Sequence, residues 1–385
     1  MPPPAQRKRE VTIFGLVSFL NDMGSDMIFP IWPLFLTTVL GANMAVVGLI
    51  DGLGDAIVSI SQAVSGYLSD RLKKRKVFIW LGYICAGVAR LGYAFVNIWP
   101  QIIPFRLLDR SGKLRGAPRD AVIADLSTDK DRGSNFGFLR AMDNLGAVVG
   151  ITITIFFFEQ LGFHNLFLIA AVPSFIGVLL ILFLIPKEKK PETKIFKGIT
   201  LRELSPRIRY FIVLSAIFAL GAFSYSFLLL IAKARGFSVS EISILYLIFT
   251  ASASLLSIPF GRLCDRIGRK PVLVIAYLFW GLVSFTFIVS SGTLGTVTAF
   301  VLYGLHKAAL DTSQKTFVSE LLPVEHRGSA LGGFQMIVGL CALPASLFAG
   351  VLWDTSTMLT PFYVSLGLTI VATVMLLGVK EKSSI

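Results

Sequence analysis

Histidine and cysteine are nearly missing from this sequence, with three of each in 385 residues. A catalytic metal centre therefore has few ligands to draw on. Cys85, Cys264 and Cys341 stand in or beside apolar runs without metal-like spacing, so they read as small buried hydrophobes and imply no disulfide framework. The P-loop pattern GxxxxGK[ST] is absent, as are HExxH, GxSxG and CxxC. These absences argue against ATP hydrolysis as a driving force and against an enzyme; no cofactor and no metal are expected. Charge is scarce as well. Only 15% of residues are Asp, Glu, Lys or Arg against 54% hydrophobic, and the mean hydropathy is +0.74. A soluble domain of this length does not have such a composition.

What the chain has instead is long apolar runs. A bilayer core about 30 Å thick takes roughly 20 apolar residues per helical crossing. Twelve such segments lie between polar loops, at 11–40, 43–69, 77–97, 99–126, 134–158, 164–186, 207–232, 239–261, 271–291, 295–322, 328–352 and 358–379. The first follows the basic head MPPPAQRKRE with no small-residue cleavage site, and reads as a retained helix. A formal charge of +13 would suggest nucleic acid for a soluble chain. Its distribution suggests topology instead: one set of loops carries 25 Lys and Arg, five of them in 71–76 and eight in 187–209, while the other set carries Lys233 and Arg235. Basic loops stay in the cytoplasm, so both termini are expected there and the number of crossings is even.

Self-comparison finds two halves in register. GYLSDRLKKRK at 66–76 aligns with GRLCDRIGRK at 261–270, and DRGSNFG at 131–137 with HRGSALG at 326–332, both at an offset of 195 that also carries Asp125 onto Glu320. The long polar segment between them is the linker. The expected organisation is an all-α membrane protein of twelve spans: a six-helix bundle over 1–186, a cytoplasmic linker over 187–206 and a second six-helix bundle over 207–385.

The repeated Gly-x-Leu-x-Asp-Arg motif with its basic tail resembles the signature loop of the major facilitator superfamily, and the resemblance covers essentially the whole chain. It implies a gate latch at Asp70, Arg71, Asp265 and Arg266. The first copy departs from the pattern at Lys73, where the family has a glycine; Gly268 keeps it in the second. In the fourth span the family carries a pattern near Arg-x-x-Gln-Gly-x-Gly, which Arg106 and Gly112 match and Asp109 and Arg110 do not. Exporters of the family often carry Gly-x-x-x-Gly-Pro in the fifth span. Gly146 and Gly150 fit it; Ile151 stands in place of the proline.

Residues 106–120, RLLDRSGKLRGAPRD, look like a loop in the middle of an oily protein. Parity forbids a loop there, because every later loop would flip and the basic linker would move outside. As a spanning helix the segment cannot face lipid, since each charge at mid-bilayer costs about 2.5–3.5 kcal/mol even on lenient scales. Arg106, Asp109, Arg110 and Lys113 are spaced i, i+3, i+4, i+7, which predicts one stripe facing a polar cavity. Asp22, Asp55 and Arg90 fall at similar depths, about 15–20 Å into their spans.

The candidate substrate or proton site is therefore Asp22, Asp26, Asp55, Arg90, Arg106, Asp109, Arg110, His306, Lys307 and Asp311, with Asp51 and Ser224, Tyr225 and Ser226 beside it. Arg115, Arg119, Asp120, Asp125, Arg140 and Asp143 lie nearer the cytoplasmic ends of spans four and five and read with the latch residues as a cytoplasmic gate. For the gate charges and for the Lys307–Asp311 pair structural ion pairing is the leading reading, for Asp22, Arg106, Asp109 and Arg110 substrate or proton work leads, Asp26, Asp51, Asp55 and Arg90 stand even, and a lone histidine such as His306 serves a helix more often than a ligand. The expected function is proton-coupled secondary transport of a small molecule, with the arginines favouring one that bears an anionic group. Export stands ahead of uptake of an organic anion; efflux of a cationic drug or metal and a non-transporting receptor are the alternatives. The protein is expected as a monomer in a bacterial inner membrane, with a small molecule, protons and lipid as its partners.

Overall fold

The computed structural model describes residues 3–72, 74–128, 131–186, 205–321 and 327–379. Among them there are helices and no strands: α1 Pro4–Ile28, α2 Trp32–Leu34, α3 Met44–Leu72, α4 Arg75–Ala94, α5 Trp99–Ser111, α6 Gly116–Leu126, α7 Arg132–Leu184, α8 Pro206–Gly221, α9 Ser226–Ala234, α10 Val239–Ile267, α11 Arg269–Val289, α12 Thr293–Leu321, α13 Arg327–Thr355 and α14 Thr360–Leu377. Eight of these stretches are long and apolar enough to cross a membrane. The twelve expected spans map onto them without remainder. Helix α7 counts once but holds spans five and six. Spans one, four and ten fall short because they are broken or too charged.

The breaks follow from the residues. A straight helix of 53 residues would be about 80 Å long, far more than a bilayer. Helix α7 turns back at Gly162, whose φ of +64° is open to glycine and strained for other residues. Span one stops at Ile28 and resumes at Trp32, where Pro30 and Pro33 deny the helix two amide donors, and then ends in a π-helical turn over Phe35–Val39. Span four is not the single α-helix its spacing suggests. A 3₁₀ turn, Gly112–Arg115, joins α5 to α6. The cause is tertiary: a Cβ on Gly82 of α4 would lie 2.5 Å from the Gly112 carbonyl oxygen, so these backbones already touch.

The helices form two compact units. Unit 1 comprises Met1–Gly41, Ile57–Ile195 and Val239–Ser243, and unit 2 comprises Ala42–Ala56, Phe196–Ser238 and Ile244–Ile385. In unit 1, α1 lies against α7 at Gly146 and Gly150, where a Cβ would fall 2.3 Å from the Phe19 carbonyl and 2.2 Å from that of Met23. Two small residues four apart bring two backbones together, a packing use for the half-matched exporter motif. Phe14, Val17, Ile79, Tyr83, Ile123 and Ile181 fill the core between α1, α4, α6 and α7. In unit 2, the first turns of α3 lie on α13 in the same manner, with Gly48 against Ser346, Gly52 against Leu343 and Gly350 against Met44.

Candidate functional site

The charges of span four converge with α1 and α4 in unit 1. Arg106 is buried, with its guanidinium 4.1 Å above the centre of the Trp32 ring. Arg110 is buried one turn on, 5.1 Å from the Phe29 ring centre, with Nε 3.7 Å from Asp109 Oδ2. Aromatic faces carry part of what opposite charges would carry in a pair, by cation–π attraction. Asp109 is within electrostatic reach of Arg90, Arg106 and Lys113, and Asp22 of Arg90, Lys113, Arg119 and Asp143. Asp22 also accepts from Asn21 Nδ2 at 2.9 Å, and Asp26 is buried a turn further along α1. Lys113 falls in the 3₁₀ turn and stays within electrostatic reach of Asp22, Asp109 and Arg110.

Arg90 is 1% exposed and has a full set of neutral acceptors. Its Nη1 donates to Ser174 Oγ at 2.6 Å and the Ala170 carbonyl at 3.2 Å; Nη2 donates to Ser25 Oγ at 2.6 Å, and to the carbonyl and Oδ1 of Asn21 at 3.2 and 3.3 Å. One guanidinium thus ties α1, α4 and α7. Gly24 leaves the room: a Cβ there would lie 2.4 Å from Nη1. A search for opposite charges could not find partners that are serines, an asparagine and two carbonyls.

Nearer the far end of span four, Arg119 gathers α1, α6 and α7. It donates to Ser18 Oγ at 2.6 Å, pairs with Asp120 at 3.1 Å and lies 3.6 Å from Asp143, which Arg140 approaches from the other side at 3.5 Å. Arg115 points elsewhere, donating to the Gly112 carbonyl at 2.8 Å beneath Tyr83.

In the two repeated loops the contacts are made by the basic residues that follow the Asp-Arg pair, with Asp265 of the pair itself taking part. In unit 1, Arg75 pairs with Asp125 at 2.5 Å, and Lys76 donates to the Leu182 carbonyl at 3.1 Å and to that of Ile185. In unit 2, Arg269 pairs with Glu320 at 2.9 Å and Asp265 at 3.1 Å, and Lys270 donates to the Leu377 carbonyl at 2.8 Å. Arg71 reaches Tyr67 Oη at 3.4 Å, and Arg266 is exposed. The side chain of Asp70, all of Lys73 and the linker 187–204 lie outside the described residues.

Unit 2 assembles a second polar face on α12. Lys307 and Asp311 pair at 3.4 Å one turn apart. Asp55 is in electrostatic reach of Lys307 and Tyr303. His306 is 2% exposed, its Nδ1 2.8 Å from the Ala276 carbonyl, and it is ringed by Phe218, Trp280 and Tyr303. Asp51 is 2% exposed and its Oδ2 accepts from Ser224 Oγ at 2.7 Å and from Ser226 Oγ. No group of three or more His, Cys, Asp or Glu side chains able to hold a metal ion occurs among the described residues.

Buried guanidinium groups within apolar helices and a loop motif repeated in the two halves of the sequence fit a carrier, and the comparisons agree. The sequence profile of the Major Facilitator Superfamily matches residues 14–229 and again 209–384. An uncharacterized MFS-type transporter of Methanocaldococcus jannaschii is 39% identical over 381 residues, covering 96% of this chain and 94% of that protein. Multidrug resistance protein 1 of Bacillus subtilis is 25% identical over 375 residues, covering 92% and 93%. The crystal structure of the nucleoside transporter NupG superposes with a TM-score of 0.75 at 18% identity, over 97% of this chain and 99% of that one, and so supports the fold. This chain is an integral, multi-pass membrane transporter and not an enzyme, and it belongs to the major facilitator superfamily.

Proposed function

We propose that the protein is a proton-coupled transporter whose substrate bears an anionic group, held by Arg106 and Arg110. The observation that carries this reading is the charge balance around span four. Five cationic side chains, Arg90, Arg106, Arg110, Lys113 and Arg115, stand there against the carboxylates Asp22, Asp26 and Asp109. The guanidinium groups of Arg106 and Arg110 lie over Trp32 and Phe29. A carboxylate or phosphate entering this cluster gains charge-assisted, bidentate hydrogen bonds. Substrate and proton then compete for the same positive charge: an arginine drawn to substrate leaves Asp109 or Asp22 readier to take a proton. Arg90, satisfied by neutral groups, and His306, enclosed by rings, are assigned to architecture. Arg119, Asp120, Arg140 and Asp143 form the cytoplasmic gate with the latch loops, the linker joins two six-helix halves, and both termini face the cytoplasm of the bacterial inner membrane. Export is favoured over uptake by the general likeness to efflux-type members.

The test is transport in proteoliposomes under an imposed pH gradient, with organic anions and cations side by side. Loss of gradient dependence in Asp22→Asn or Asp109→Asn supports the coupling role; unchanged dependence in both sinks it. Arg106→Ala should weaken anion binding at least tenfold and leave cation binding alone. A second reading, export of an organic cation, draws on the half-buried Asp22 and on the multidrug relative. It predicts the reverse pattern, with Asp22→Asn losing cation binding and Arg106→Ala sparing it.

A further inference from the structure

We propose that unit 2 carries a binding site of its own, for a planar aromatic or heteroaromatic ring, on the face of α12 that presents Tyr303, Lys307 and Asp311. The three residues are spaced i, i+4, i+8 and share one stripe of the helix. Lys307 is the midpoint of this 29-residue span. Its side chain is 35% exposed and that of Asp311 58%. Charges exposed at that depth cannot face hydrocarbon, so the stripe lines a polar opening. Tyr303 stands one turn before Lys307 on the same stripe and is half-buried.

Around Tyr303 the rings form a stack. His306 lies 15° from its plane with ring centres 6.1 Å apart, and Phe249 of α10 lies 25° from it at 4.5 Å. Trp280 of α11 backs the stack, 5.6 Å from Tyr303 and 5.5 Å from His306. Tyr246, a turn before Phe249 on α10, crosses that ring at 70° and 5.5 Å. The helices set this arrangement: a Cβ on Gly304 would lie 2.4 Å from Ser252 Cβ and 2.8 Å from the Phe249 carbonyl oxygen, so α10 and α12 touch through their backbones. The stack is closed at one end, where His306 and Trp280 are 2% and 1% exposed. At the other end Phe249 and Tyr303 are half-buried. Core packing accounts for the enclosed rings. It does not account for aromatic surface left open beside a charge pair at the middle of a span. A ring added there gains stacked or edge-to-face contacts that an aliphatic group of the same size does not. The Lys307–Asp311 pair one turn on supplies a cationic donor and an acceptor for heteroatoms on the ring's edge. A largely apolar wall with a few convergent polar groups is the ordinary make-up of a small-molecule site. Neither Arg106 nor Arg110 takes part, so the site stands whether or not the substrate is an anion.

The test is calorimetric binding to the detergent-purified protein with two matched pairs of probes: naphthoate against decalin carboxylate, and naphthylmethylamine against its decalin counterpart. Each pair shares a head group and differs in aromaticity. Burial of apolar area alone favours the saturated member, whereas a ring site favours the naphthyl one. In wild type the naphthyl compound should bind tighter by about threefold or more in every pair that binds. Tyr303→Leu and Phe249→Leu, which keep apolar bulk and remove a ring, should each bring that ratio to one or below. Tyr303→Phe, which keeps the ring and removes the hydroxyl, should preserve it. Arg106→Ala, in the same series, should weaken both carboxylates alike and leave their ratio, so a failure of the anion reading is seen separately from a failure of this one. If one leucine variant does not purify as a monodisperse protein, the other decides. An unchanged ratio in a folded leucine variant, or a wild type that shows no naphthyl preference or binds neither pair, overturns the proposal.

Discussion

Replacing Gly82 by alanine adds one carbon where α4 and α5 meet, and the consequence can be worked out from the distances. The new Cβ would stand 2.5 Å from the Gly112 carbonyl oxygen and 2.8 Å from Arg115 Cβ, whereas ordinary contact begins at 3.4 Å. Neither neighbour is the far end of a flexible side chain, so α4 and the 3₁₀ turn must separate by nearly an ångström. Overpacking of this kind costs about 1–3 kcal/mol. Alanine's better helix propensity returns about 0.5–1 kcal/mol, leaving a net loss of about 0–2.5 kcal/mol with its centre at about 1 kcal/mol. Gly367→Ala is the matched control, because no atom lies within 4 Å of its added carbon and only the propensity gain remains. In thermal unfolding of the detergent-solubilised protein at one scan rate, Gly82→Ala should melt clearly below wild type and Gly367→Ala at or above it. Equal midpoints for the two variants would refute the claim that α4 and the 3₁₀ turn are in backbone contact at Gly82.

Gly268, with φ of +93° and ψ of 164° at the start of α11, occupies a region nearly closed to other residues, so Gly268→Ala should cost about 1–3 kcal/mol and lower the same midpoint. Asp354 accepts from the Met44 and Ala45 amides at 3.1 and 2.8 Å and so caps α3; Asp354→Ala should cost about 0.5–2 kcal/mol, with Asp354→Asn nearer wild type. Asp131, in the loop after α6, is held below its ordinary value of 3.8 by hydrogen bonding from Thr128. A depressed carboxylate adds stability that is complete above the unfolded value and disappears as pH falls through the folded one. Asp131→Asn should therefore melt below wild type at pH 7 and match it at a pH below the folded value, as two melting series would record.

Twelve spans were legible before any coordinates because the bilayer imposes a length and the basic loops impose a parity; these constraints act on the chain locally and leave their mark in its composition. Gly162 illustrates the same legibility, since a short polar interval between two apolar runs had to hold a turn. Contacts made at a distance in the chain leave no such mark. Arg90 had to have partners inside the membrane, but nothing in the sequence indicates that they would be Asn21, Ser25, Ala170 and Ser174, because neutral acceptors are too common to stand out. The 3₁₀ turn that follows Arg110 was hidden for a related reason. Periodicity assumes an undisturbed α-helix, and the disturbance comes from a glycine on another span.

The repeat itself was read in a register that the structure refines. Matching the aspartates of the two loops gives an offset of 195 and leaves Lys73 where a glycine belongs. The ion pairs give a different correspondence for the basic residues: Arg75 and Lys76 do in unit 1 what Arg269 and Lys270 do in unit 2, an offset of 194, while their acceptors Asp125 with Glu320 and Leu182 with Leu377 keep 195. Three residues, Leu72 to Lys74, separate Arg71 from Arg75, and two, Ile267 and Gly268, separate Arg266 from Arg269. The first loop is thus one residue longer. The shorter loop enters α11 through Gly268 at φ +93°, whereas Lys74, the residue before α4, has φ −132°. Each loop thereby sets a lysine on the last carbonyls of a helix, Lys76 at the end of α7 and Lys270 at the end of α14.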